Sequence, residues 1–280
     1  MWPGSKGFAA MKKGQEIMTP ELIIAVEVCL KVGRAMLERG CCYAHAQDEE
    51  CYPEPSIEDA GIELYFLIER ALSVTGLPVV GGYGESVRFD VRSDWKQYWL
   101  VDPIEGELES HEGPGTCTVS VALIEGHEPV LGVIYAPASD TLYCASRETG
   151  AYRVQFASSM FAETSRLDQV DRTTPVPTSR PRRMLVDRLH LDQAMLDYIE
   201  ELGSEYPGIE LVQREGGLDL CLVAEGSADI YPRLESTCEW ETAAGHAILK
   251  ATGRNIVEFP SGRELIYNTP EMINPYFVAS

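Results

Sequence analysis

Trp99-Leu100-Val101-Asp102-Pro103-Ile104-Glu105-Gly106-Glu107 and Glu239-Trp240-Glu241-Thr242-Ala243-Ala244-Gly245 are the two runs that decide how this chain folds. Tyr98–Val101 is a short apolar run that reads as a buried strand ending at Asp102, just before Pro103. The second run opens a helix expected from about Trp240 to Ala251, with Gly253 near its C-terminal cap. Both place carboxylates at the mouth of an apolar element. A charge buried there is costly unless a cation or a hydrogen-bond donor compensates it.

Working outward, Thr19-Pro20-Glu21 is a helix start: an N-cap, a proline in the first turn and an acid near the positive end of the dipole. Leu22, Ile23, Val26, Cys29, Leu30, Ala35 and Met36 keep helical spacing to about Arg39, and Gly40 stops the helix. Ser56-Ile57-Glu58-Asp59 resembles a capping box and opens a second helix to about Ser73. A short strand is expected at Val79-Val80, followed by strands over Thr116–Ile124, Val130–Tyr135, Thr141–Ala145 and Ala151–Phe156. The segment from Ala157 to Arg183, with prolines and arginines, reads as an exposed link. A strand over Met184–Val186 and a helix over Leu191–Leu202 follow. No G-x-G-x-x-G, P-loop or internal repeat is present.

The chain has 280 residues, enough for a large core in one extended domain or two subdomains. With 23 Lys and Arg against 44 Asp and Glu, its formal net charge is −21, which repels nucleic-acid backbones and anionic membrane surfaces. A small phosphate ligand needs only a local cation or a few donors and is not excluded. No apolar run is long enough for a transmembrane helix. The first 18 residues carry Lys6, Lys12 and Lys13 without the apolar stretch of a signal peptide and are expected to form a loose leader. The cysteines form no C-x-x-C pairs, so structural zinc is not expected and buried free thiols in a reducing cytosol are. Cys41, Cys42 and Cys51 leave a disulfide or a soft-metal site open.

The two runs resemble the paired signatures of the inositol monophosphatase superfamily, written Asp-Pro-Leu/Ile-Asp-Gly-Thr and Trp-Asp-x-Ala-Ala-Gly. Within it the likeness is to the bacterial 3′(2′),5′-bisphosphate nucleotidases of the CysQ type. Further matching segments are Pro129–Pro137, Cys221–Gly226, Tyr231-Pro232-Arg233 and Tyr267-Asn268-Thr269-Pro270. The resemblance implies an α/β fold, the layered α-β-α-β-α sandwich, over residues 19–280, with subdomains of about 19–156 and 184–280 joined by 157–183. It also implies a cytoplasmic, Mg²⁺-dependent hydrolase of small phosphate monoesters, with no organic cofactor. The expected partner is a small-molecule substrate, with no nucleic acid and no membrane. A homodimer is left open.

Carried onto this chain, the resemblance makes Asp102, the Ile104 carbonyl, Glu105 and Glu241 metal ligands. Glu105 and Glu241 stand where the family has Asp. The extra methylene moves their oxygens by roughly 1.3–1.5 Å, against a placement tolerance of about 0.5 Å for a working site. Glu107 replaces a threonine that would orient water. An ionised carboxylate cannot donate a hydrogen bond, so Glu107, with Glu105, becomes a candidate base. The family's Glu-Glu pair falls within Val79-Val80-Gly81-Gly82-Tyr83-Gly84-Glu85. Counted forward from Pro78 or back from Asp102, Tyr83 lands on one of the two acids, and Glu85 can serve as a ligand only if the loop shifts. On the substrate side, Gly106, Arg188, His190, Gly216, Gly217 and Arg233 match binding positions. Asp219 stands where a phosphate-binding lysine is expected.

Carboxylates at 105, 107 and 241 suggest that negative charge is still used in this pocket, while the phosphate side has lost cations and hydroxyls. Three functions remain open: a metal-dependent phosphatase with an adapted site, a repurposed lyase or isomerase using acid–base chemistry, and a non-catalytic binding protein.

Overall fold

The computed structural model describes residues 18–40, 57–106, 117–159, 163–166, 181–187, 191–205, 208–214 and 216–280. Of the sequence expectations, the leader up to residue 17, Cys41, Cys42, Cys51, the Ser56 cap, Glu107, Arg188 and His190 lie outside the described residues. Met18, which the sequence reading placed in the leader, packs against the core.

Helix α1 (Pro20–Glu38) starts where expected, with the Leu22 N–H donating to Thr19 Oγ1 at 3.3 Å. Helix α2 (Ile57–Leu72) follows. A seven-stranded sheet then forms from β1 (Val79–Gly81), β2 (Gln97–Glu105), β3 (Thr118–Glu125), β4 (Glu128–Ala136), β5 (Thr141–Ser146), β6 (Gly150–Gln155) and β7 (Glu163–Arg166), in sequence order. Only β1 and β2 run parallel. The short helix α3 (Phe89–Arg92) lies between them. The expected link after residue 157 is in part a strand, because β7 pairs antiparallel with β6 at the edge of the sheet.

Residues of β2 alternate between two cores. Trp99 and Val101 join α1 and α2 on one face. Tyr98 and Leu100 face α5 (Asp219–Ala224) and α6 (Glu239–Ala251) on the other. A strand buried on both faces reads as a continuous apolar run, which is why this stretch was legible. Gly132 in β4 is a required glycine, since a Cβ there would overlap the Ala244 carbonyl of α6. Its absence lets the helix that carries Glu241 lie directly on the sheet.

Beyond α6 lies a smaller sheet, β10 (Tyr231–Arg233), β14 (Phe277–Ala279) and β12 (Ile256–Glu258) in that order. Phe277 and Ala279 face the α6 core, while Val278 packs in a third cluster with Met184, Val186, Ile230 and Leu234. Met184 and Val186 belong to β8 (Arg183–Asp187), which pairs parallel with β9 (Glu210–Arg214). Helix α4 (Gln193–Glu205) covers this cluster through Met195. The result is the α-β-α-β-α layering expected. Strands β7, β9, β12 and β14 are too short or too weakly patterned to stand out in the sequence. A two-residue pair, β11 (Thr237–Cys238) with β13 (Ile273–Asn274), leads into α6.

Candidate active site

Strand β2 does not end at Asp102. It continues through Pro103 to Glu105, with a register shift between Asp102 and Glu105. Asp102 pairs with Ser120 and Glu105 with Thr118, so three steps on β2 match two on β3. In a regular strand, residues three apart point to opposite faces. The one-residue bulge returns both carboxylates to the same side, and it is also where a proline is tolerated.

Asp102 is buried, and its Oδ1 accepts a long bond from the Ile104 N–H, 3.3 Å. Glu105 Oε2 lies 3.5 Å from Thr118 Oγ1, its donor. Glu241, in the first turn of α6, turns back to accept the Cys238 N–H at 2.7 Å, completing a capping box. Burial is the main force raising the Asp102 pKa, to about 8; repulsion from Glu241 adds to it, and the Ile104 N–H opposes it. Glu105 is pushed well above the usual carboxylate range by burial and by Asp102, Glu241 and Asp219, with Arg233 opposing. The three acids that the two signatures bring together therefore feel one another's charge.

A cleft beside them is lined by Glu105, Gly216, Gly217, Asp219, Arg233 and Glu241, among others. Gly217 has to be a glycine: a Cβ would collide with Thr118 Oγ1 and stand 2.7 Å from Glu105 Oε2. The Gly216–Gly217 loop thus presses on the carboxylate cluster. The helix it leads into, α5, has only six residues, so its dipole is small. Arg233 is held by Glu235 at 2.8 Å and donates to Tyr231 Oη at 3.2 Å. Gly106, left-handed at φ +103° and exposed, follows Glu105.

Glu85 is not drawn into this cluster. It is exposed, and its charge is felt by Tyr65 instead. The intervening glycine turn packs closely against Val101, Trp240 and Tyr65, and Glu85 would serve as a ligand only with the loop shift that the sequence reading required. Tyr83 is the residue of this turn that feels Asp102. Asp219 is a site residue that the sequence reading noted only as a lost lysine; the structure buries it in the cleft wall.

These hard oxygen donors, mutually repelling and mostly buried, suit a divalent cation in chemical type. Their arrangement is less complete. Among the described residues no three His, Cys, Asp or Glu side chains stand as a ready ligand set. Glu241 is engaged by Cys238, and the turn offers no acid. Among the described residues, no helix is long and apolar enough to cross a membrane.

The sequence profile of the inositol monophosphatase family matches residues 71–275. The chain belongs to this family. The 3′(2′),5′-bisphosphate nucleotidase CysQ of Salmonella typhimurium (strain LT2) is 36% identical over 190 residues, covering 68% of this chain and 70% of that protein. CysQ of Escherichia coli K12 is 35% identical over 193 residues, 69% of this chain and 71% of that one. Among solved structures, CysQ from Bacteroides thetaiotaomicron superposes with a TM-score of 0.79 at 30% identity, over 92% of this chain and 96% of that chain. Inositol monophosphatase II from Staphylococcus aureus, 17% identical with a TM-score of 0.70, shares the fold over 92% of this chain and 89% of its own. The expected fold and family are both met.

Proposed function

We propose that the chain is a metal-dependent phosphate-ester hydrolase acting on a small nucleotide- or sugar-like metabolite. The observation that carries this reading is the convergence of Asp102, Glu105 and Glu241 beside the Gly216–Gly217 loop and Arg233. Asp102, the Ile104 carbonyl and Glu105 would hold Mg²⁺, with Glu241 joining once released from the Cys238 N–H. The cation would supply charge neutralisation for a phosphoryl group. The chain's own contribution is positional: β2 and its bulge aim two carboxylates, and the glycine loop brings backbone N–H groups close. Arg233 offers a guanidinium suited to a phosphate. Glu107 is assigned from sequence alone as the group that positions water.

The substrate favoured is a monophosphate. Asp219 lines the cleft where the family places a lysine, so a second phosphate would meet a buried acid. Hydrolysis of 3′(2′),5′-bisphosphate nucleotides, the reaction named for the CysQ relatives, is expected to be very slow. A panel of sugar and nucleoside monophosphates and 3′-phosphoadenosine 5′-phosphate, assayed for phosphate release with and without Mg²⁺, tests this. Mg²⁺-dependent release from a monophosphate in preference to the bisphosphate supports it. Rapid turnover of the bisphosphate would show that Asp219 does no harm. Glu105→Asp with Glu241→Asp should raise release by restoring ligand reach.

One observation favours a second reading. Glu241 is committed to its helix cap, and burial and neighbouring acids push Asp102 up to about 8 and Glu105 well above the usual carboxylate range in the metal-free chain. A protonated and an ionised carboxyl in one cleft are the parts of an acid–base lyase or isomerase. Depletion of a metabolite without phosphate release or need for Mg²⁺ would select this reading.

A further inference from the structure

Where β11 runs into α6, most polar groups are spent on one another. Asn274 of β13 is buried, and its side-chain nitrogen lies 2.8 Å from the Cys238 carbonyl, 3.0 Å from Thr237 Oγ1 and 3.1 Å from Thr242 Oγ1. A carbonyl can only accept, so the Cys238 carbonyl fixes the nitrogen of the Asn274 amide, and not its oxygen, on this side. An amide nitrogen donates and accepts nothing, so neither threonine can place its own proton there. The Cys238 N–H is taken by Glu241 at 2.7 Å. Thr242 donates to the Glu239 carbonyl at 3.2 Å and accepts from Tyr267 Oη at 3.3 Å.

The Thr237 proton is different. Among the described residues it meets no acceptor, neither Asn274 Oδ1 nor a carboxylate of the cleft. Thr237 is only 4% exposed, and it lines the cleft together with Gly216, Gly217 and Arg233. A buried donor without an acceptor is costly, and a hydroxyl proton turns about its C–O bond to meet an acceptor that arrives. Arg233 has only protons to offer and cannot take this one. What can take it is an oxygen brought in by a ligand, and an anionic oxygen makes the stronger bond.

We propose that Thr237 is a substrate-binding residue of this cleft, donating its hydroxyl proton to an oxygen of the substrate's phosphate group. This rests on the phosphate-ester reading above and deepens it by naming a hydroxyl donor on the side of the cleft where the sequence has lost others. Asn274 holds the Thr237 oxygen and refuses its proton. The hydroxyl therefore meets the ligand as a donor already fixed in place on the paired strands β11 and β13.

The test is a calorimetric titration of the full chain with inorganic phosphate in the presence of Mg²⁺, with Mg²⁺ affinity measured separately in the absence of phosphate. Thr237→Val keeps the shape and removes the hydroxyl, and should weaken phosphate binding by about tenfold or more, the scale of a lost hydrogen bond to a charged group, while Mg²⁺ affinity changes less than about threefold. Thr237→Ser returns the hydroxyl and should restore phosphate affinity to within about threefold. Thr237→Ala serves if the valine variant does not melt cooperatively. Unchanged phosphate affinity in a folded variant without the hydroxyl, no recovery with serine, or a parallel fall in Mg²⁺ affinity overturns the inference and leaves the phosphate-ester reading intact. No phosphate bound by the unmodified chain with Mg²⁺ overturns both.

Discussion

Two glutamates on the first turn of α6 carry the same side chain into opposite situations. Glu239 is fully buried and satisfied. It accepts from the Asn268 N–H at 2.7 Å, and from the Thr269 N–H and hydroxyl at 2.8 and 2.6 Å. Arg92 stands near it, bonded to Asn268 Oδ1 and to the carbonyls of Thr269 and Pro270. Glu241, two residues on, shares a cluster with Asp102, Glu105 and Asp219. Both groups of acids are largely removed from water. One is matched by donors from its own chain and ties α3 to the Asn268–Pro270 segment. The other faces like charges beside a small cleft, with Arg233 as the cation acting on Glu105. Burial alone does not separate a structural acid from a functional one; the sign of its neighbours does.

The comparison breaks most forcefully at Glu239. Glu239→Ala leaves the Asn268 and Thr269 donors unmet and Arg92 without its nearby anion, and should cost about 3–5 kcal/mol in denaturant unfolding. A loss below about 1 kcal/mol would show that the lock is not structural. Asp102→Asn should do the reverse in the other cluster. It removes a repelled charge, so the metal-free chain should be more stable at pH 8, while Mn²⁺ affinity falls about 10–100-fold. Equal or lower stability together with unchanged affinity would erase the contrast. Gly217→Ala forces a methyl into Thr118 and Glu105 and should cost about 1–3 kcal/mol by overpacking, read by chemical denaturation.

The smallest effect is on pH dependence. Asp102 ionises at about 8 in the folded metal-free chain, against 3.8 for the ordinary group. Its raised pKa contributes stability that is present at low pH and lost as pH rises toward 8. His246, buried against Asn255 and Tyr267, has its pKa lowered to about 4, mainly by burial, so its contribution is lost as pH falls below 6.5. Between pH 8 and 6.5 the carboxylates act alone, and the melting temperature should rise on acidification. Mg²⁺ should flatten that slope by favouring the ionised acids, and so should Asp102→Asn. A slope of opposite sign without metal would mean that Asp102 is already ionised.

Much of this was readable in the chain. Pro20, Gly40 and the apolar spacing between them set α1, and the run Tyr98–Val101 set the central strand. The two signatures also placed Asp102, Glu105 and Glu241 in one neighbourhood before any coordinates. The extension of β2 past Pro103 was not readable, because a bulge is a property of the pairing with β3 and not of either strand. The burial of Asp219 was equally hidden: an acid at a helix start reads as a dipole partner whether it faces water or a cleft.

The sequence by itself determined the family, the layered fold and which acids are close, because apolar periodicity and motif spacing are local and survive without knowledge of partners. Only the tertiary structure decided which carboxylates are satisfied and which are left facing one another. It also left Glu85 exposed and set Gly82 beside Asp102. Those outcomes depend on a one-residue register shift and on glycine contacts between segments far apart in the chain, and such long-range contacts have no signature in any single stretch of sequence.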